Sequence, residues 1–140
     1  MPTAAIIGGG VIGSAWASRF LLNGWEVRFH DPAPNSEAVL NTVLDKARRW
    51  VPEVYDQLPP VGALTLCGSI ADAVTGAEWI QESTPERLEI KQAVLAEIQA
   101  SCAAEAIVAS STSGFMPSEL QVDSARPEQI LVAHPYNPVY

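Results

Sequence analysis

The sequence predicts an α/β fold, a doubly wound parallel sheet with helices on both faces, and three observations predict it. Apolar strand-like runs alternate with helix-period stretches along the whole chain, the first strand runs into a glycine turn, and polar residues gather just after strand ends. Antiparallel sheets would instead give short strands joined by tight turns.

The elements follow in order. Ala4-Ala5-Ile6-Ile7 reads as a buried strand, and Gly8-Gly9-Gly10-Val11-Ile12-Gly13 turns it into a helix that Asn23-Gly24 closes. Glu26 to Phe29 alternates polar and apolar residues into a second strand, with His30 and the acid Asp31 at its end. The spacing of Val39, Leu40, Val43, Leu44 and Ala47 predicts a helix over Ser36 to Gln57, stopped by Leu58-Pro59-Pro60. A short strand at Leu64 to Cys67 and a helical turn at Ile70 to Val74 come next. Glu78 to Glu82 forms another strand, after which Thr84 is expected to cap a helix, with Pro85 at its first position and Glu86 favouring its dipole. Leu88, Val94, Leu95 and Ile98 supply that helix's buried stripe. Two further strands, Ala106 to Ala109 and Ile130 to Ala133, end in Ser110-Ser111-Thr112-Ser113-Gly114 and His134-Pro135-Tyr136-Asn137-Pro138.

Composition sets the bounds. The 140 residues, 48% of them hydrophobic, suffice for one core, so residues 1–140 read as one domain. A net charge of −8 argues against nucleic acid or an anionic membrane as partner. No apolar run approaches the ~20 residues of a membrane span, and no basic signal peptide opens the chain. Cys67 and Cys102 form neither a disulfide framework nor a metal-ligand spacing. They are expected to be small buried thiols of a cytoplasmic protein, and no metal is expected.

The glycine turn points to a dinucleotide. Gly8 permits the tight turn, Gly10 lets backbone approach a pyrophosphate, and Gly13 lets the helix pack close to the sheet. The N–H groups of Val11, Ile12 and Gly13 then face the pyrophosphate at the positive end of the helix dipole. Asp31 stands where a carboxylate accepts the adenine-ribose hydroxyls and repels a 2′-phosphate, while Arg28, an odd number of positions away, projects to the opposite face. The cofactor expected is NAD rather than NADP.

Ser113 and His134 are the candidates for chemistry, because each follows a strand end on the edge where parallel sheets bind ligands. Oxidising an alcohol needs a base for the hydroxyl proton and a group that holds the oxygen, and a histidine serves in both directions. Either residue alone fits a structural role equally well, Ser113 as a turn or cap and His134 as a loop residue packed on Pro135. Tyr136 and Tyr140 admit two readings as well, an aromatic face for a quaternary ammonium or packing at a domain edge.

Four motifs in order, Gly8-x-Gly10-x-x-Gly13, Glu82-x-x-x-Glu86-x-x-x-x-Lys91, Ser110-x-Thr112-Ser113 and His134-x-x-Asn137-Pro138, resemble the NAD-binding domain of the 3-hydroxyacyl-CoA dehydrogenase family. The resemblance implies that His134 is the general base, that Ser113 binds the substrate hydroxyl, that Glu86 and Lys91 lie near the nicotinamide ribose, and that Asn137 borders the substrate. Ser111 departs from the family's usual asparagine, and the helical arm between Asp31 and Leu64 is shorter than the hairpin that helps hold CoA. A small free hydroxy acid is the substrate this implies. Residues 132–140 are similar to the family's carnitine 3-dehydrogenase branch, and less closely to its L-gulonate 3-dehydrogenases; Tyr140 is an expected substrate contact.

In that family a helical domain follows, carrying the histidine's glutamate partner, completing the substrate cleft and forming a homodimer. This chain is therefore expected to be the NAD-binding part of a longer protein and inactive alone. The alternative is a stand-alone NAD-binding redox sensor.

Overall fold

A computed structural model describes all residues, Met1–Tyr140. Six strands form one sheet: β1 (Thr3–Ile7), β2 (Glu26–His30), β3 (Leu64–Leu66), β4 (Trp79–Glu82), β5 (Ile107–Ser110) and β6 (Ile130–Val132). All pairings are parallel, and the order is β3-β2-β1-β4-β5-β6. The chain therefore leaves β1 on one side for β2 and β3, and returns to its other side at β4. Ligands of such sheets bind beyond the carboxyl ends of the strands at this switch point.

β1 is buried at every position because both of its faces are covered. Its period of two divides the core. Ala5 and Ile7 point into one cluster with Ile80 and Val108, beneath α3 (Ile70–Val74), α4 (Leu88–Ser101) and α5 (Pro117–Leu120). Ile6 points the other way, joining Val27 and Phe29 beneath α1 (Val11–Leu22) and α2 (Ser36–Trp50). α1 meets the sheet through small residues, Gly13 and Ala17, so its backbone lies close to β1. No helix is long and apolar enough to cross a membrane.

Several elements differ from expectation. α2 ends at Trp50, seven residues before Gln57, because Pro52 has no N–H to give the Arg48 carbonyl; a 3-10 turn, Val51–Glu53, follows. α4 begins at Leu88 with Arg87 as N-cap, so Thr84, Pro85 and Glu86 form a loop instead of its first turn. Thr84 is drawn away by Glu82 two residues before it, and Glu86 by tertiary hydrogen bonds from the turn after β5. Between β5 and β6 lie α5 and a 3-10 turn at Pro127–Gln129, both too short to leave a periodic signal. Cys67 and Cys102 are half-buried rather than buried. Burial nonetheless raises the Cys67 thiol above its usual value, with Asp72 adding to the rise and Arg28 opposing it.

Candidate functional site

A groove of about 860 Å³ runs along the carboxyl ends of β1, β2 and β4, lined by Gly8, Gly10, Asp31 and Ser83 among others. Its floor is the glycine turn. Gly8 has φ +99°, and a Cβ there would come within 2.6 Å of the Ser83 carbonyl. At Gly13 a Cβ would lie 1.8 Å from the Gly8 oxygen, so only glycine lets α1 start this close to β1. A Cβ at Gly10 would meet nothing within 4 Å, which leaves open space on the ligand side. No side chain caps α1 and no acid sits in its first turn, so the N–H groups of Val11, Ile12 and Gly13 are free for an anion. This donor set fits a pyrophosphate.

Asp31 does two jobs at the groove's far end. Its Oδ1 accepts from the Ala33 N–H at 2.7 Å, and its Oδ2 accepts from the Gly9 N–H. The carboxylate thus ties β2 to the glycine turn while keeping its charge beside the groove. Arg28 donates to the Thr75 carbonyl and does not line the groove, so no cation offsets Asp31 there. A 2′-phosphate would meet an uncompensated negative charge.

A second, smaller pocket of about 240 Å³ opens at the carboxyl ends of β4, β5 and β6. Ile12, Glu86, Lys91, Ser113 and His134 line it, so the fold brings together five residues spread over more than 120 positions of sequence. It shares Ser83 and Thr84 with the groove. Both Ser113 and His134 are exposed, and the edge of the Tyr136 ring stands against the His134 ring, centroids 5.8 Å apart and planes at 87°.

Beneath this pocket lies a charge network. Lys91, 1% exposed, places its Nζ 2.9 Å from Glu82 Oε1, 3.0 Å from the Thr84 carbonyl and 3.5 Å from Glu86 Oε2. Glu82 is fully buried at the end of β4, where its Oε1 also accepts from the Thr84 N–H and hydroxyl at 2.7 and 2.6 Å; its Oε2 accepts from the Ser110 hydroxyl. Every charge here is paired and hydrogen-bonded, the condition under which a buried ion pair is tolerated.

Glu86 reaches from this network to the turn after β5. Its Oε1 accepts from Thr112 Oγ1 at 2.5 Å and from the N–H groups of Ser113 and Gly114 at 3.1 and 2.9 Å. Burial alone would raise the carboxyl, but the Thr112 hydroxyl, the Gly114 N–H, the Lys91 ammonium and the Ser113 N–H outweigh it and hold Glu86 below the usual carboxylate range. The turn that carries Ser113 is fastened from outside its own strand.

Asn137 and Tyr140 sit elsewhere, in a pocket of about 390 Å³ between α1 and α2 that also holds Val11 and Lys46. Tyr140 packs on the cluster of Ala15, Val43 and Val139. By sequence, Glu82 and Thr112 are only motif positions with no role of their own, and Ser83 is not singled out at all. Only an acid that ends an apolar strand signals Glu82.

Residues 3–140 match the family described as 3-hydroxyacyl-CoA dehydrogenase, NAD binding domain. The chain is 58% identical, over its whole length, to the L-carnitine dehydrogenase/betainyl-CoA thioesterase of Ruegeria pomeroyi, of which it covers 29%. It is 50% identical to the L-carnitine dehydrogenase of Mesorhizobium japonicum, over 98% of this chain and 38% of that protein. It spans less than half the length of the curated relatives it matches, 28 to 46%. Among solved structures, an NAD+ dependent dismutase, 5-formyl-3-hydroxy-2-methylpyridine 4-carboxylic acid 5-dehydrogenase, superposes with a TM-score of 0.88 at 32% identity, covering 99% of this chain and 45% of that one. The 3-hydroxybutyryl-CoA dehydrogenase of Escherichia coli K12 superposes with a TM-score of 0.78 at 21% identity, over 99% of this chain and 30% of that one, a likeness of fold.

Proposed function

Because this chain belongs to the 3-hydroxyacyl-CoA dehydrogenase family as its NAD-binding domain, we propose that it serves an NAD-dependent dehydrogenase that oxidises the 3-hydroxyl of L-carnitine. The observation that carries the chemistry is the meeting of Ser113 and His134 in one pocket that opens onto the cofactor groove. The substrate reading is supported by the names of relatives 44 to 58% identical to the chain.

In this reading the Ser113 hydroxyl holds the substrate oxygen, and a neutral ring nitrogen of His134 takes the C3 hydroxyl proton. Bound NAD supplies the acceptor for the hydride that leaves C3. Glu86 and Lys91 edge the nicotinamide ribose while holding the Ser113 turn in place. The carnitine ammonium finds a −8 protein and the face of Tyr136, 88% exposed beside His134. Asn137 and Tyr140 contribute substrate contacts once a following helical domain closes the cleft, and the assembled protein acts as a cytoplasmic homodimer. The greater length of the relatives supports such a domain.

The test is NADH formation by the full-length protein with L-carnitine, 3-hydroxybutyryl-CoA and L-gulonate. L-carnitine should give the highest kcat/KM, and its neutral tert-butyl isostere should raise KM. A preference for the CoA thioester or the isostere sinks the carnitine reading. His134→Ala should lower kcat by ~10²–10⁴-fold and leave the NAD Kd unchanged. An undiminished kcat returns His134 to a structural role.

A further inference from the structure

We propose that Ser83 recognises the cofactor, its hydroxyl donating a hydrogen bond to the carboxamide oxygen of the nicotinamide of NAD, and that Trp79, Gln81 and Ser111 set the direction of that bond. Ser83 follows β4 directly. Its N–H bonds the Ile7 carbonyl at 2.8 Å, and its backbone is the surface against which Gly8 must lack a Cβ. It is thus pinned beside the glycine turn. Ser83 and Thr84 are the two residues that line both the groove and the pocket, and they mark the place where a ligand in one continues into the other.

Those two hydroxyls differ in what they have left to give. Thr84 spends its hydrogen on Glu82 Oε1 at 2.6 Å. Ser83 belongs to a chain whose direction is set at its far end. An indole N–H only donates, so Trp79 Nε1, 2.9 Å from Gln81 Oε1, fixes the buried Gln81 amide with its oxygen toward Trp79. The Gln81 Nε2 then donates to Ser111 Oγ at 2.8 Å. Ser111 Oγ stands 2.7 Å from Ser83 Oγ, where either hydroxyl can be the donor; we assign the donor to Ser111, because Ser83 alone of the two also lines the groove. With that assignment Ser83 accepts from below and keeps its hydrogen for the cavity junction. Ser111 departs from the asparagine usual at its position, and here it is the link that hands direction to Ser83.

The inference rests on the cofactor reading, and the test separates the two. Isothermal titration of NAD and of ADP-ribose, which lacks only the nicotinamide, is run on the unmutated protein, Ser83→Ala, Ser111→Ala and the double variant, with thermal melts as a folding control. Ser83→Ala should weaken NAD about three- to tenfold, the worth of one neutral hydrogen bond, and leave ADP-ribose unchanged. Ser111→Ala should weaken NAD less, and the double variant should match Ser83→Ala, because both changes act through one hydroxyl. Unchanged NAD binding in Ser83→Ala, or equal loss for both ligands, overturns the proposal; additive losses in the double variant overturn the directing role of Ser111. Failure of the unmutated protein to bind either ligand defeats the cofactor reading and this proposal with it.

Discussion

The groove under the glycine turn and the pocket under Ser113 and His134 share a wall at Ser83 and Thr84, yet they are made of different material. The groove's floor is backbone, glycines without Cβ atoms and free N–H groups at the start of α1, with the Asp31 carboxylate at one end. The pocket is side chain: a buried Glu82–Lys91 pair, with Glu86 extended from it to fasten the Ser113 turn. A backbone site forms wherever local sequence permits the path of the chain. A side-chain site forms only once β4, β5 and α4 are assembled, so it depends on the whole fold.

The comparison breaks most visibly at Lys91. Lys91→Met removes the cation and leaves Glu82 buried with its charge uncompensated, a loss of about 3–5 kcal/mol in related cases. Denaturant unfolding measures it. A loss below about 1 kcal/mol would mean that Glu82 is held by its hydrogen-bond donors alone. The matching change in the groove is Gly13→Ala, which puts a Cβ 1.8 Å from the Gly8 oxygen and forces α1 off the sheet. Overpacking of this kind costs about 1–3 kcal/mol and should abolish NAD binding, because the N–H groups of Val11 and Ile12 move with the helix. NAD titration at a temperature where the variant is folded reads the second effect separately.

Legibility in the sequence follows the same division. The glycine turn, Asp31 and all six strands are readable from local pattern, since turn geometry, burial and strand period are set by neighbours in the chain. The expectation that Thr84, Pro85 and Glu86 open a helix has sound local logic and is wrong for a tertiary reason. Glu82 takes the Thr84 N–H and hydroxyl, and the Thr112 hydroxyl with the Ser113 and Gly114 N–H groups takes the Glu86 carboxylate, so neither residue is left to cap the helix. Pro52 is a local signal that overrides the apolar spacing of α2. Glu82 itself is hard to read, because a carboxylate at a strand end looks like surface until the Lys91 that pairs with it, nine residues later, is folded over it.

A smaller effect sharpens the groove's side of the comparison. Asp31→Ala should narrow the preference for NAD over NADP by about tenfold, the equivalent of ~1.4 kcal/mol. The change should come from both directions. NADP gains through loss of repulsion, while NAD weakens because the carboxylate also ties down the Gly9 and Ala33 N–H groups. Titration of both cofactors into both proteins decides it, and equal affinities in the unmutated protein would remove Asp31 from cofactor choice.

The smallest effect belongs to Glu86, and its mark is a dependence on pH. Its folded-state pKa lies below the ordinary 4.5, so its ionised form stabilises the folded protein at neutral pH, and that contribution is lost as pH falls through the lowered folded value. Since the side chain is 43% exposed, solvent screens the contribution, and Glu86→Gln should lower Tm by no more than a few degrees at pH 7. As pH falls through the lowered folded value the two melting curves should converge, because the unmutated carboxyl is protonated there and resembles the amide. The neutral amide oxygen still accepts from Ser113 and Gly114, so the turn keeps its shape while losing its charge-assisted bonds. A gap in Tm that stays constant from pH 7 down to the acid limit of folding would show that Glu86 holds the turn by shape, and the pocket would then owe its form to charge only at Lys91 and Glu82.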